Sequence, residues 1–250
     1  MSIRPTEYGR RGMLGIGTPQ ANPTVETEFQ VLRPAGVNLV AVRLLCTDKD
    51  PEQRIAGYLD GLGETLERFD DLQLDAFGFA CTGSTYIRGF TAERALIEKL
   101  EERFGYPILT ATDAIEQRLT ALGARRIALV SPYPDWLLKK GVDYWQGRGF
   151  EVAAVGQATL PGDNLHQIYE LTSQQALDVL HSLDLDDVDA ILFSGTGMPS
   201  LRAIAGAQES TGLPAMSSNL CLAAALFQTL DMEGAELTEP RHWLARLDDY

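Results

Sequence analysis

Cys81 is the residue in this chain whose type and setting could do covalent chemistry. It lies in Phe79-Ala80-Cys81-Thr82-Gly83-Ser84-Thr85, directly after a short apolar run that reads as a buried strand. Small neighbours let a ligand come close to the backbone. A thiol at the start of a helix is expected to have a lowered pKa and to favour thiolate. The competing use of a free cysteine is as a small core hydrophobe. Cys46, at a strand end with apolar neighbours, and Cys221, in an Ala/Leu-rich helical stretch, fit that second use.

Other groups could hold a substrate. Tyr133 follows Ser131-Pro132 at another strand exit and can offer a phenol to an oxyanion, or simply pack. Asn22 (in Asn22-Pro23-Thr24) and Asn164 (in Pro161-Gly162-Asp163-Asn164) sit in loops before helical stretches, where asparagine also serves as a cap or turn residue. His166 and His181 share one expected helix and His242 is near the C-terminus; without a nucleophile or ligand partner, all three read as helix-surface residues. The cysteines form no CxxC and no His-rich ligand spacing, so neither disulfides nor a metal site is expected. The glycines give no phosphate-binding fingerprint after a strand, so no nucleotide cofactor is expected.

The elements that must position these groups alternate. Apolar runs at 13–19, 38–45, 76–83, 126–132, 151–157 and 190–197 read as strands, and the intervening stretches 53–69, 92–104, 113–122, 135–148, 165–183 and 220–230 read as helices. Such alternation implies parallel sheets covered on both faces. The pattern is also written twice. Residues 75–83 and 189–197 share Asp, Ala, Phe, Thr and Gly at matching positions, with Gly195 standing where the first copy has Cys81. Ile16-Gly17-Thr18-Pro19 parallels Leu129-Val130-Ser131-Pro132, and Gly105–Thr110 parallels Gly212–Ser217. Three matches in one order indicate internal duplication.

The fold class expected is therefore α/β: two similar Rossmann-like open parallel sheets related by a pseudo-twofold, with a ligand cleft between them at the strand exits. The expected division is residues 1–110 plus 218–250 for the first unit and 111–217 for the second. Hydroxyls at nearly every strand exit, namely Thr18, Thr82, Thr110, Thr112, Ser131, Thr196, Ser217 and Ser218, would line that cleft. They are also good helix caps, and a capped helix start can receive an anion.

Composition bounds the rest. With 250 residues, 45% hydrophobic, the chain can bury a sizeable core, and no apolar run reaches membrane-spanning length. The first residues lack the apolar stretch of a signal peptide, and a reducing cytoplasm is the expected location. A formal net charge of −14 argues against nucleic-acid or anionic-lipid partners. It also repels an anionic substrate at long range, so a carboxylate site must be made attractive locally.

These segments resemble the aspartate/glutamate racemase superfamily, in its maleate cis–trans isomerase and arylmalonate decarboxylase branch, from about Gly12 to Leu230. Asn22-Pro23-Thr24-Val25-Glu26-Thr27-Glu28, Pro132-Tyr133, Asp163-Asn164 and Met198-Pro199-Ser200-Leu201 are most like the isomerases. The resemblance implies a cofactor-independent pseudo-twofold enzyme acting on a small mono- or dicarboxylate, and homo-oligomeric assembly as a homodimer. It implies that Cys81 is the nucleophile, that Asn22, Tyr133 and Asn164 hold carboxylates, and that Thr82, Gly83, Tyr133, Gly195 and Thr196 surround the oxyanion. The isomerases keep a second cysteine where this chain has Gly195; the decarboxylases keep that second cysteine and have glycine in the first half. Maleate-type isomerisation is therefore the leading expectation, followed by decarboxylation of a substituted malonate with Cys81 as single proton donor. Asp/Glu-type racemisation and non-catalytic carboxylate binding stand behind them.

Overall fold

The computed structural model describes residues 7–159, 165–232 and 240–250. Eight strands form two four-stranded parallel sheets. The first contains β1 (Gly12–Pro19), β2 (Val37–Leu44), β3 (Ala76–Phe79) and β4 (Ile108–Thr110), in the order β2-β1-β3-β4. The second contains β5 (Arg126–Ser131), β6 (Glu151–Gln157), β7 (Ala190–Phe193) and β8 (Ala215–Ser217), in the order β6-β5-β7-β8. The two orders coincide when the strand number is shifted by four, as a duplication requires. Central strands β1, β3 and β7 are buried along their whole length, which is why they read as unbroken apolar runs.

Ten α-helices cover the sheets among the described residues: α1 (Thr24–Leu32), α2 (Pro51–Asp60), α3 (Leu62–Leu66), α4 (Thr82–Arg88), α5 (Phe90–Phe104), α6 (Ala111–Ala121), α7 (Asp135–Gly147), α8 (Ser173–His181), α9 (Leu201–Thr211) and α10 (Ser218–Gln228). One apolar core runs from Leu14, Ile16 and Ala80 into the second half around Leu129, Phe193 and Leu222; a smaller one, around Phe77, Phe79, Leu59 and Leu100, fills the other face of the first sheet. None of these helices is long and apolar enough to cross a membrane.

Two expected helices are broken. The stretch 53–69 divides at Gly61 into α2, α3 and a 3-10 turn, because α2 ends there, its last carbonyls met by the Gly61 N–H. The stretch 165–183 divides into a 3-10 turn, Leu165–Tyr169, and α8. Thr172 opens α8 with a reciprocal capping box to Gln175, which starts a new helix rather than continuing the turn. Residues 166 and 181 therefore do not share a helix, while His181 is exposed at the end of α8 as expected of a surface residue. Cys221 is buried in α10, but Cys46 is only half-buried, because it lies beyond the end of β2.

Candidate active site

In each sheet the strand order reverses direction between the first and third strands, the place where open α/β sheets hold ligands. The first sheet's switch point lies between β1 and β3. Pro19 ends β1, and Cys81 follows β3 as the N-cap residue of α4. Both line a cavity of about 230 Å³ together with Asn22, Gly83, Tyr133 and Thr196. The structure thus brings Asn22, Cys81, Gly83, Tyr133 and Thr196 to one place, with Thr82 bonded to Tyr133 at its edge. Asn164 lies outside the described residues.

Cys81 is 5% exposed. Burial pushes its thiol above the ordinary cysteine range, against the Ser84 hydroxyl and the Gly83 and Ser84 backbone N–H groups, which favour thiolate. The lowered pKa expected from the sequence is corrected accordingly: desolvation of the charged form outweighs a few short-range bonds. Ser84 Oγ lies 2.6 Å from the Ile55 carbonyl oxygen and 3.0 Å from Cys81 Sγ. A hydroxyl has one proton, so it serves the carbonyl while Cys81 is a thiol and can turn to sulfur when Cys81 ionises.

Thr82 Oγ1 and Tyr133 Oη are 2.8 Å apart and both buried. Two hydroxyls carry two protons and share one bond, so one proton remains for a ligand oxygen. Burial, chiefly, and then the Cys81 charge hold the Tyr133 phenol well above its ordinary pKa, leaving it a neutral donor. Its ring is braced edge-on against Tyr86, and its carbonyl accepts from Gln157.

The floor joins the two halves. Asn22 Nδ2 donates to Thr196 Oγ1 at 3.3 Å while Asn22 Oδ1 accepts from the Thr24 N–H, so its cap and site roles coexist. The Thr196 hydroxyl gives its proton to the Ala80 carbonyl at 2.9 Å. Thr24 Oγ1 donates to the Gly197 carbonyl, and Tyr86 Oη meets Ser194 Oγ at 2.6 Å. Beneath them Glu28, on α1, is fully buried and accepts from the Ser200 and Leu201 backbone N–H groups and from Asn219 Nδ2, which also donates to the Thr196 carbonyl. Desolvation raises the pKa of Glu28 in spite of these bonds.

Gly195 stands at the matching exit of β7 but does not line the cavity. Its N–H donates to Ser218 Oγ and its carbonyl accepts from Met198. Not every strand-exit hydroxyl reaches the cleft either. Thr110 caps α6 and Ser217 caps α10, while Thr112 donates to buried Glu93. Thr18 and Ser131 are buried outside the lining. The outer strands spend their hydroxyls on caps because their helices start at once.

The remaining wall was not visible in the sequence: Pro51, Arg54, Ile55 and Tyr58 come from α2, and Ile168 and Tyr169 from the 3-10 turn after β6. Burial, then the Cys81 charge, pushes the Tyr58 phenol up to about 12. Among the described residues no group of three His, Cys, Asp or Glu side chains is placed to hold a metal ion.

The arrangement can present one thiol and a neutral hydroxyl pair to a small carboxylate. Known proteins are similar to the chain over most of its length. The arylmalonate decarboxylase family model matches residues 14–241. The maleate isomerase of Pseudomonas putida is 26% identical over 233 residues, spanning 88% of this chain and 92% of that one. The arylmalonate decarboxylase of Bordetella bronchiseptica is 26% identical over 138 residues, 55% of this chain and 58% of its own. Among solved structures, a cysteine-to-alanine variant of the maleate isomerase Iso from Pseudomonas putida S16, with maleate, is similar at a TM-score of 0.81 and 26% identity, over 88% of this chain and 92% of that one.

Proposed function

The chain belongs to the arylmalonate decarboxylase family, and from that premise we propose that it is a cofactor-independent cysteine enzyme isomerising a small cis-enedioate of the maleate type. The observation that carries this reading is a lone thiol, Cys81, in the cavity at the β1–β3 switch point, beside a hydroxyl pair with a proton to spare. Sequence identity of 26% to the maleate isomerase extends over 88% of this chain, against 55% for the Bordetella bronchiseptica decarboxylase, and favours isomerisation.

In this mechanism the Cys81 thiolate adds to one alkene carbon. The π pair moves onto the neighbouring carbon and into its carboxylate, giving an enediolate, and the former double bond turns as a single bond. Collapse of the enediolate re-forms the double bond in trans geometry and returns the bonding pair to sulfur. No proton is gained or lost overall, so a second thiol is not required. The free proton of the Thr82–Tyr133 pair stabilises the oxygen on which charge develops. Ser84 and the Gly83 and Ser84 N–H groups support the ionised sulfur against burial.

One observation favours decarboxylation as the second reading: burial keeps Cys81 a thiol, the form a proton donor needs. Loss of CO2 from a substituted malonate would leave an enediolate at the same hydroxyls; Cys81 S–H would protonate its carbon and water would restore the thiol.

The test is incubation with maleate, following fumarate by proton NMR, and with phenylmalonate, following CO2. Fumarate formation lost by about a thousandfold or more in Cys81→Ala is the expected result. A nucleophile requires thiolate, so kcat/KM should climb from about pH 7 to 9 without levelling, since the thiol's pKa is raised. A proton donor would instead give a flat profile that falls only above that pKa. No turnover of maleate by the wild-type protein would sink the isomerase reading.

A further inference from the structure

Arg54 is the one formally charged side chain among the described residues lining the Cys81 cavity. It stands in the first turns of α2, ahead of Ile55 and Tyr58, which line the same wall. The α2 wall is close to the sulfur, because Ser84 Oγ contacts both the Ile55 carbonyl and Cys81 Sγ. Arg54 Nε donates to the Asp48 carbonyl oxygen at 2.7 Å, which fixes the guanidinium plane through a neutral acceptor. Carboxylates are plentiful in a chain with 35 acidic and 21 basic residues, and Arg43, Arg88, Arg103 and Arg126 each have one. Among the described residues Arg54 has none, so both its Nη groups remain for another acceptor.

We infer that Arg54 anchors the second carboxylate of a dianionic substrate, whose first carboxylate sits at the Thr82–Tyr133 hydroxyls with the reacting carbons between them, facing Cys81. The inference deepens the isomerase reading, because it requires a dicarboxylate in this cavity. The rest of the lining, including Ile55, Ile168, Tyr58 and Tyr169, is apolar or neutral and gives a second negative charge no other cationic partner. A guanidinium fork matches a carboxylate in two bonds, and a cation here offsets locally the repulsion that a net charge of −14 exerts on an arriving dianion. Tyr58, one turn along α2, lies within reach of both charges, its phenol pulled down by Arg54 and pushed up by ionised Cys81. Arg54 touches the carboxylate that does not become an enediolate, so it holds ground state and intermediate alike and should act on KM rather than kcat.

The experiment measures calorimetric binding of two non-reacting probes, succinate and its monoamide, to wild type, Arg54→Gln and Arg54→Lys, with melting curves as a folding control. Wild type should prefer succinate by about 10- to 100-fold, the range for a hydrogen-bonded charge pair. Arg54→Gln should bring the preference near unity with its melting curve retained, and Arg54→Lys should keep part of it. With maleate, Arg54→Gln should raise KM by a similar factor and change kcat little. An unaltered preference in Arg54→Gln, equal weakening of both probes, or no succinate binding by wild type overturns the anchor. Maleate turnover without the preference removes the anchor alone. The preference without turnover removes the isomerase reading and leaves Arg54 as a dicarboxylate anchor.

Discussion

At position 195 the backbone has φ +136°, and a β-carbon there would lie 2.6 Å from Pro132 Cδ and 2.8 Å from Pro132 Cγ. The twin of Cys81 is thus closed by backbone and proline together, so a cysteine cannot simply be put back. Gly195→Cys is expected to cost about 1–3 kcal/mol in denaturant unfolding and to add nothing to maleate turnover. A variant of unchanged stability and higher turnover would contradict this. Position 83 differs: a β-carbon there meets Ile55 Cγ2 at 3.1 Å and Tyr133 Oη at 3.5 Å, a tight fit rather than a collision. The sequence made Cys81, Asn22, Tyr133 and Thr196 legible because strand exits in an open sheet converge. It could not give the state of the thiol, which depends on how completely the helices bury it. Nor could it point to Arg54, 27 residues upstream in an ordinary amphipathic stretch.

Helix boundaries were the least legible elements, since apolar periodicity continues across Gly61 and across 170–172 while the backbone does not. The α2 wall of the site escaped for a related reason: cavity-facing Ile55 and Tyr58 have the same spacing as core-facing residues. α10 packs against β3 of the first sheet as well as β8 of the second, and its contact with β3 has a direct test. Gly78 of β3 faces it so closely that a β-carbon would lie 2.7 Å from Leu226 Cδ1 and 3.4 Å from Leu222 Cδ2. Gly78→Ala should destabilise by about 1–3 kcal/mol through overpacking. Because Leu226 is the obstructing atom, Gly78→Ala with Leu226→Ala should be less destabilised than the two single losses added together. Strict additivity in chemical denaturation would show that the contact is not what limits the site.

Across the whole molecule, buried carboxylates set the response to pH. Burial raises the pKa of Glu28 and of Glu93, which accepts from Thr112 and Tyr144. A raised folded-state pKa means the protonated form suits the fold better. That contribution is present below the ordinary carboxylate range and lost as pH rises through the raised value. Self-repulsion at a net charge of −14 acts in the same direction. Asp189 opposes it: backbone N–H groups of Arg126 and Arg125 lower its pKa, so its contribution is lost only in stronger acid. Melting temperature should therefore rise as pH falls from about 8 toward 5, and Glu93→Gln should flatten that slope. An equal slope in the variant would remove Glu93 from the account.

The bonds under the cleft have one more consequence, in time. Glu28 is separated from Ser200, Leu201 and Asn219 by 172, 173 and 191 positions. A ribosome adding about 5–20 residues per second takes roughly ten to forty seconds to cover that interval. Over the larger, later part of it Cys81 has already been made, while Thr196, which lines its cavity, has not, or has not yet met Asn219. The substrate cavity around the thiol is thus completed only in the last part of synthesis, because the floor beneath it is assembled from residues made early and residues made late.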